Sequence, residues 1–221
     1  MPYADLLEKF REAVGAKNVF TGEKKTAYYR SGFRSGVGGA LAVVFPETLL
    51  QQWHILQHCV NGGCAIIMQG AKTGLTEGSC PSGDDYARPI VIINTRRLTK
   101  LILLDGGKQV LALPGATLHQ LENLLRPLGR MPHSVIGSTS IGATIVGGIA
   151  NNAGGALCKR GSSYTELSLF AQVDATGKLQ LVDHLGIRNL GKTPEQIFER
   201  LESGQIDSAD LEAHHTPTST R

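Results

Sequence analysis

The chain has 221 residues, 41% of them hydrophobic and 19% charged, the balance of a folded globular protein long enough to bury its own core. A net charge of +3, with Lys and Arg scattered and no basic run interleaved with aromatics, argues against nucleic acid as a partner. Glycine is abundant at 27 residues and aromatics are scarce at 5%, a composition suited to tight turns and to backbone lying close to a ligand.

The four cysteines, Cys59, Cys64, Cys80 and Cys158, form no C-x-x-C pair, so the plain reading is free thiols in a reducing compartment. The start, Met1-Pro2-Tyr3-Ala4-Asp5, shows no basic segment followed by an apolar core, and no run approaches the ~18 apolar residues of a membrane helix. A cytoplasmic location is expected, with contact to a membrane surface left open.

In chain order, Leu6, Leu7, Phe10 and Val14 fall at helical spacing, which predicts an amphipathic helix over residues 3–14. A short helix follows over Glu23–Arg30, and residues 31–39 read as a glycine-rich loop. Gly36-x-Gly38 does not open a dinucleotide fingerprint, because Leu41 stands where glycine is needed and no strand precedes it. Residues 41–45 predict a buried strand stopped by Pro46, and residues 47–60 a helix ended by Asn61-Gly62-Gly63. His54 and His58 sit four apart on that helix. The spacing suits a metal, but no third ligand is evident, and two surface histidines are the simpler reading.

Ala65-Ile66-Ile67-Met68 predicts a short buried strand, and from it runs Gln69-Gly70-Ala71-Lys72-Thr73-Gly74-Leu75-Thr76-Glu77-Gly78-Ser79. Three glycines, three hydroxyls and a lysine can turn backbone N–H groups toward one anion. They can equally be a polar surface turn. Ile90–Thr95 is a further apolar strand, so residues 41–95 read as a small α/β unit.

A hairpin over residues 98–113 turns at Gly106-Gly107 and opens a second unit, with Thr117 capping a helix to about Leu125. A second hairpin is expected at 167–183, and Thr193-Pro194 starts a short helix. Residues 208–221 are polar and patternless and are expected to be disordered.

Residues 133–155 carry Gly137, Gly142, Gly147, Gly148, Gly154 and Gly155. Ser138 or Ser140 could cap a helix over 141–152 whose one face, Gly142, Ala143, Gly147 and Ala150, is almost bare of side chains. Glycine inside a helix costs ~1 kcal/mol relative to alanine. Either close packing against a strand or a flat ligand, met by N–H groups and the Thr144 hydroxyl, would justify it. The common nucleotide motifs fail. A Walker A loop ending at Lys72-Thr73 would need glycine at Ala71 and at Ile66, and no Rossmann fingerprint occurs.

Residues 70–79 resemble the pyrophosphate loop of the flavoproteins related to vanillyl-alcohol oxidase, and residues 140–155 resemble that family's second flavin-contacting stretch. Residues 29–36, 75–79, 127–130, 132–138, 160–161 and 164–166 are similar to one branch, the bacterial quinone-dependent respiratory D-lactate dehydrogenases. The resemblance runs from about residue 3 to about residue 207. It implies an α+β fold, an FAD-binding domain of the p-cresol methylhydroxylase (PCMH) type made of two α/β subdomains. These are expected at about 36–97 and 98–207, after a helical segment at 1–35 and before a tail at 208–221. It implies FAD as cofactor, with contacts at Gly70, Ala71, Lys72, Thr73, Gly74, Gly78 and Ser79, and at Gly137, Thr144 and Gly154. Whether Lys72 touches phosphate or points to solvent is left open.

The implied reaction takes hydride from C2 of D-lactate to the flavin, giving pyruvate, and passes electrons to a membrane quinone. A cytoplasmic location is expected, with peripheral attachment to the cytoplasmic face of the inner membrane as the alternative. The resemblance implies that relatives continue past residue 221 into a cap domain and a segment that completes the flavin site, so a truncated product or fragment is expected, with its activity alone left open. No catalytic base is assignable, and His133 and Arg34 are only polar residues within matched segments. A flavin-binding module or subunit that needs a partner chain, and a fold that has lost its ligand, are the competing readings. No metal is expected.

Overall fold

The computed structural model describes residues 3–83, 86–133, 136–154 and 165–212. Two compact units divide the chain: Met1–Leu98 with Val173–Leu179, and Thr99–Gln172 with Gln180–Arg221. The expected Cys158 thiol and the 160–164 motif lie outside the described residues.

The first unit is built on a four-stranded sheet of order β1-β2-β4-β3, where β1 is Val19–Phe20, β2 Ala42–Val44, β3 Ala65–Gln69 and β4 Ile90–Asn94. β2, β4 and β3 run parallel, and β1 pairs antiparallel with β2. β4 is apolar from Ile90 to Ile93 because it lies between β2 and β3 and every one of its residues is buried. Alternation along the strands then divides the core in two. Ala42, Val44, Val91 and Ile93 pack with Phe10 and Val14 of α1 (Ala4–Val14) and with Ile55 and Cys59 of α3 (Leu49–Asn61). Val43, Ile90 and Ile92 pack with Phe45, and Phe20 and Tyr29 lean against that second cluster. Each fully buried aliphatic or aromatic side chain here stabilises the fold by roughly 1.5–3 kcal/mol. Thr48 caps α3 by accepting the Gln51 N–H, and α2 spans Glu23–Arg30.

The second unit begins with the antiparallel hairpin β5 (Leu101–Leu104) and β6 (Gln109–Ala112). A capping box at Thr117 and Gln120 starts α4 (Leu118–Leu125). A six-residue helix, α5 (Ile145–Ala150), follows, then the hairpin β7 (Leu169–Val173) and β8 (Leu179–Asp183), and α6 (Pro194–Ser203). Leu121, Leu125, Leu190, Ile197, Phe198 and Leu201 are buried.

Three expectations need correction. Residues 65–68, expected as a buried strand, form the edge strand β3, with Ala65, Ile66 and Ile67 half-buried and Met68 exposed. Residues 208–212 are ordered, not a featureless tail. Asp207 caps a 3₁₀ turn over Ser208–Asp210, Arg200 pairs with Asp210 at 3.0 Å, and the Ser208 hydroxyl accepts the Asp105 N–H at 3.0 Å. The helix expected over 141–152 is instead a 3₁₀ turn at Thr139–Ile141 followed by α5, and neither Ser138 nor Ser140 caps it.

Candidate functional site

The loop 70–79 leaves the first unit's sheet at the carboxyl ends of two adjacent parallel strands. Gln69, the last residue of β3, is in register with Asn94, the last of β4. In open α/β sheets this end is where ligands bind. Among the described residues, no backbone N–H from Gly70 to Ser79 donates a hydrogen bond within the protein. A run of unengaged N–H groups in a short loop is the donor set that an oxyanion takes. A Cβ built on Gly74 meets nothing within 4 Å, so this glycine leaves open space beside the loop backbone.

Polar groups beneath the loop hold it. The Gln69 side chain is 1% exposed. Its Nε2 donates to Ser79 O at 2.6 Å, closing the loop, and to Tyr29 O at 2.9 Å near the end of α2. Asn94 Nδ2 donates to Gln69 Oε1 at 2.9 Å, and Thr95 N donates to Gln69 O at 2.9 Å. Sequence reasoning placed Gln69 at the loop's start without a role. The available signal was two neighbouring apolar runs that each end in a carboxamide.

Lys72 has φ 61° and Glu77 φ 63°, a left-handed backbone that costs such residues about 1–2 kcal/mol each. Both are tied down. The Lys72 ammonium donates to Tyr28 O and lies 3.8 Å from the Tyr28 ring centroid. The side chain therefore turns back to α2, a third possibility beside phosphate contact and free solvent exposure. Partial burial holds the Lys72 ammonium below its ordinary pKa. Hydrogen bonds from the Ser35 and Ser82 hydroxyls hold the Glu77 carboxyl below the usual carboxylate range.

Residues 31–39 pack close to the far end of the loop. A Cβ on Gly36, which has φ +83°, would lie 2.9 Å from Glu77 Cδ and 3.1 Å from Cys80 Sγ. One on Gly38 would lie 2.3 Å from Gly83 O. The glycines of that segment thus serve close packing, not a ligand. Arg34 is exposed.

In the second unit, Thr117 and Thr144 form an antiparallel bridge, with Leu118 N donating to Ala143 O and Ile145 N to Ala116 O. Two capped helices, α4 and α5, thereby start side by side. Thr144 is 4% exposed, and its Oγ1 accepts the Gly147 N–H at 3.1 Å. The Thr144 hydroxyl is buried and its oxygen caps α5, which leaves its hydrogen able to donate. Gly147 follows from this, because a Cβ there would lie 2.6 Å from Thr144 Oγ1. Neither a flat ligand nor a facing strand is needed to account for that glycine. Most N–H groups from Gly142 to Ala153 are engaged locally, unlike those of the 70–79 loop. Gly137 and Gly154 are exposed, and a Cβ on either meets nothing within 4 Å.

The ten expected cofactor contacts therefore fall in two groups. Gly70, Ala71, Lys72, Thr73, Gly74, Gly78 and Ser79 share one loop of the first unit, whereas Gly137, Thr144 and Gly154 belong to one segment of the second. His133 is exposed in the second unit. His58 packs against Phe10, with ring centroids 6.5 Å apart, and burial lowers its pKa. Burial raises the thiol pKa values of Cys59, Cys64 and Cys80, and all three are free.

A glycine-containing loop with unengaged amides at a parallel-strand edge, in a chain without a P-loop or Rossmann motif, agrees with the family comparison. The family model described as FAD binding domain matches residues 31–183, and the chain belongs to that family. FAD is thus its cofactor, and the unengaged amides and open Gly74 flank of the 70–79 loop fit the diphosphate of that molecule.

Among curated proteins, the chain is 56% identical over 205 residues to the quinone-dependent D-lactate dehydrogenase of Escherichia coli (strain K12), covering 93% of this chain and 36% of that protein. It is 49% identical over 211 residues to the Haemophilus influenzae protein of the same name, covering 96% and 37%. The chain thus spans little more than a third of the length of the curated relatives it matches. Among solved structures, p-cresol methylhydroxylase aligns with a TM-score of 0.62 at 18% identity, covering 89% of this chain and 40% of that one. Alkyldihydroxyacetonephosphate synthase aligns at 0.67 and 15%, covering 90% and 38%. These two share the fold, an α+β FAD-binding domain of the PCMH type.

Proposed function

We propose that the chain is the FAD-binding portion of a quinone-dependent D-lactate dehydrogenase, with residues 70–79 as the diphosphate cradle. The carrying observation is the unbroken run of unengaged N–H groups from Gly70 to Ser79 at the carboxyl end of β3. In this reading Gly70, Ala71, Thr73, Gly74, Gly78 and Ser79 meet the diphosphate and ribose. Lys72 contributes its backbone and leaves its ammonium on Tyr28. Gly137 and Gly154 present bare backbone to the flavin, and Thr144 fixes that backbone by capping α5.

When bound, FAD would supply the hydride acceptor for the oxidation of D-lactate to pyruvate. The chain's own part is to bind and orient the cofactor. In the whole protein a membrane quinone is the proposed acceptor, with the enzyme on the cytoplasmic face of the inner membrane. No helix among the described residues is long and apolar enough to cross a membrane.

The test is a fluorescence titration of the full chain with FAD and with riboflavin. The cradle predicts saturable FAD binding and at least about tenfold weaker binding of riboflavin, which lacks the diphosphate. No binding of FAD, or equal binding of both, contradicts it.

A further inference from the structure

We infer that Gln69 is the positioning residue of the cofactor loop, a brace that sets the loop's geometry before any ligand arrives. The inference rests on the reading of residues 70–79 as the FAD diphosphate cradle.

Both hydrogens of the Gln69 amide are committed, one to Ser79 O and one to Tyr29 O. Its oxygen is committed to Asn94 Nδ2, and Asn94 Oδ1 in turn accepts the Arg96 N–H at 3.2 Å. The amide's orientation is therefore fixed, because reversing it would set Oε1 against two carbonyl oxygens and Nε2 against a donor. One buried side chain thereby joins the loop's first residue, its last carbonyl, the end of α2 and the end of β4. Asn94 Nδ2 also lies 3.4 Å from Gly70 O. A peptide's C=O and N–H point in opposite directions. Drawing Gly70 O toward Asn94 turns the Ala71 N–H away from it, toward the open side of the loop. Nothing in this pattern requires Gln69 to touch the cofactor. Its effect on binding runs through the loop it closes.

A buried polar side chain at a strand end has a purely structural alternative, in which it supports the fold but not the cradle. The variants Gln69→Leu and Gln69→Glu separate the two. Leucine removes every hydrogen bond. An ionised glutamate can only accept, which sets it against the two carbonyls. A protonated one regains one donor, and burial favours that neutral form.

The experiment titrates the full wild-type chain and both variants with FAD at about pH 5.5 and about pH 8, below and above where such a buried carboxyl is expected to change form. It is paired with NMR order parameters of the 70–79 backbone amides without FAD, which report loop mobility whether or not an amide is hydrogen-bonded. Expected is a loss of about tenfold or more in FAD affinity for Gln69→Leu at both pH values, the scale of one unsatisfied buried partner. For Gln69→Glu the same loss is expected at the higher pH, with partial recovery relative to wild type at the lower. Order parameters in 70–79 should fall in both variants at the higher pH while those of β2 and β4 stay high.

Folded variants that bind FAD within about twofold of wild type overturn the inference. So does a Gln69→Glu loss that ignores pH. If wild type itself does not bind FAD, the cradle reading fails. The order parameters then decide the brace alone, and unchanged values in 70–79 would overturn it. Should Gln69→Leu not fold, Gln69→Glu carries the same outcomes.

Discussion

At Gly74, open space and chemistry coincide. A side chain added there strains nothing in the protein, since its Cβ meets no atom within 4 Å, but it stands beside the loop's unengaged amides. Gly74→Val is therefore expected to leave the unfolding free energy without FAD nearly unchanged, within about 0.5 kcal/mol in denaturant unfolding, as for surface substitutions. FAD affinity should fall at least about tenfold, measured by fluorescence titration. Glu77 tests the loop's far end. Its folded pKa is depressed by the Ser35 and Ser82 hydroxyls, so its contribution is present above the ordinary carboxylate pKa and lost as pH falls through the folded value. Comparing Glu77→Gln with wild type in an acid melting series, the gap should be constant near neutral pH and shrink below about pH 4.5. A gap independent of pH would deny the carboxylate that role. The roles of single residues were only partly legible in the sequence. Glycines advertise the cradle, but Gln69 and Lys72 act through contacts with carbonyls and a ring some forty residues away.

Among the elements, β2 and β4 were legible because continuous burial leaves a continuous apolar run, as in Ile90–Ile93, whereas the apolar run of β3 lies at the sheet edge with Met68 exposed. β1 was not, since Val19–Phe20 has two residues and is defined by its partner Val44 and Val43 rather than by its own pattern. The helix at 141–152 was overdrawn for a related reason. Ser138 and Ser140 look like caps in sequence, but the Thr117–Thr144 bridge fixes where α5 begins, and its cap is Thr144. Thr144→Ala is accordingly expected to destabilise the chain by about 1 kcal/mol, with Thr144→Ser close to wild type, in denaturant unfolding. If Ala and Ser behave alike, the cap is not what Thr144 supplies. Composition likewise misjudged residues 208–212, where order comes from Asp207, Arg200 and Asp105 and not from hydrophobic periodicity.

For the molecule as a whole, the family membership assigns FAD and the fold, while the length of the relatives bounds what these residues do alone. The match covers 36% of the Escherichia coli protein, and the resemblance implies further flavin contacts in the part not matched. A polypeptide of these 221 residues is therefore expected to bind FAD more weakly than that full-length relative in parallel titrations, and equal affinity would argue that the matched third holds the whole site. The most direct measurement is of the loop's backbone amides by NMR as FAD is added to the full chain. The amide signals of Gly70 to Gly74 and of Gly78 and Ser79 should shift with saturation. If FAD binds and those signals stay where they were, residues 70–79 are not the diphosphate cradle.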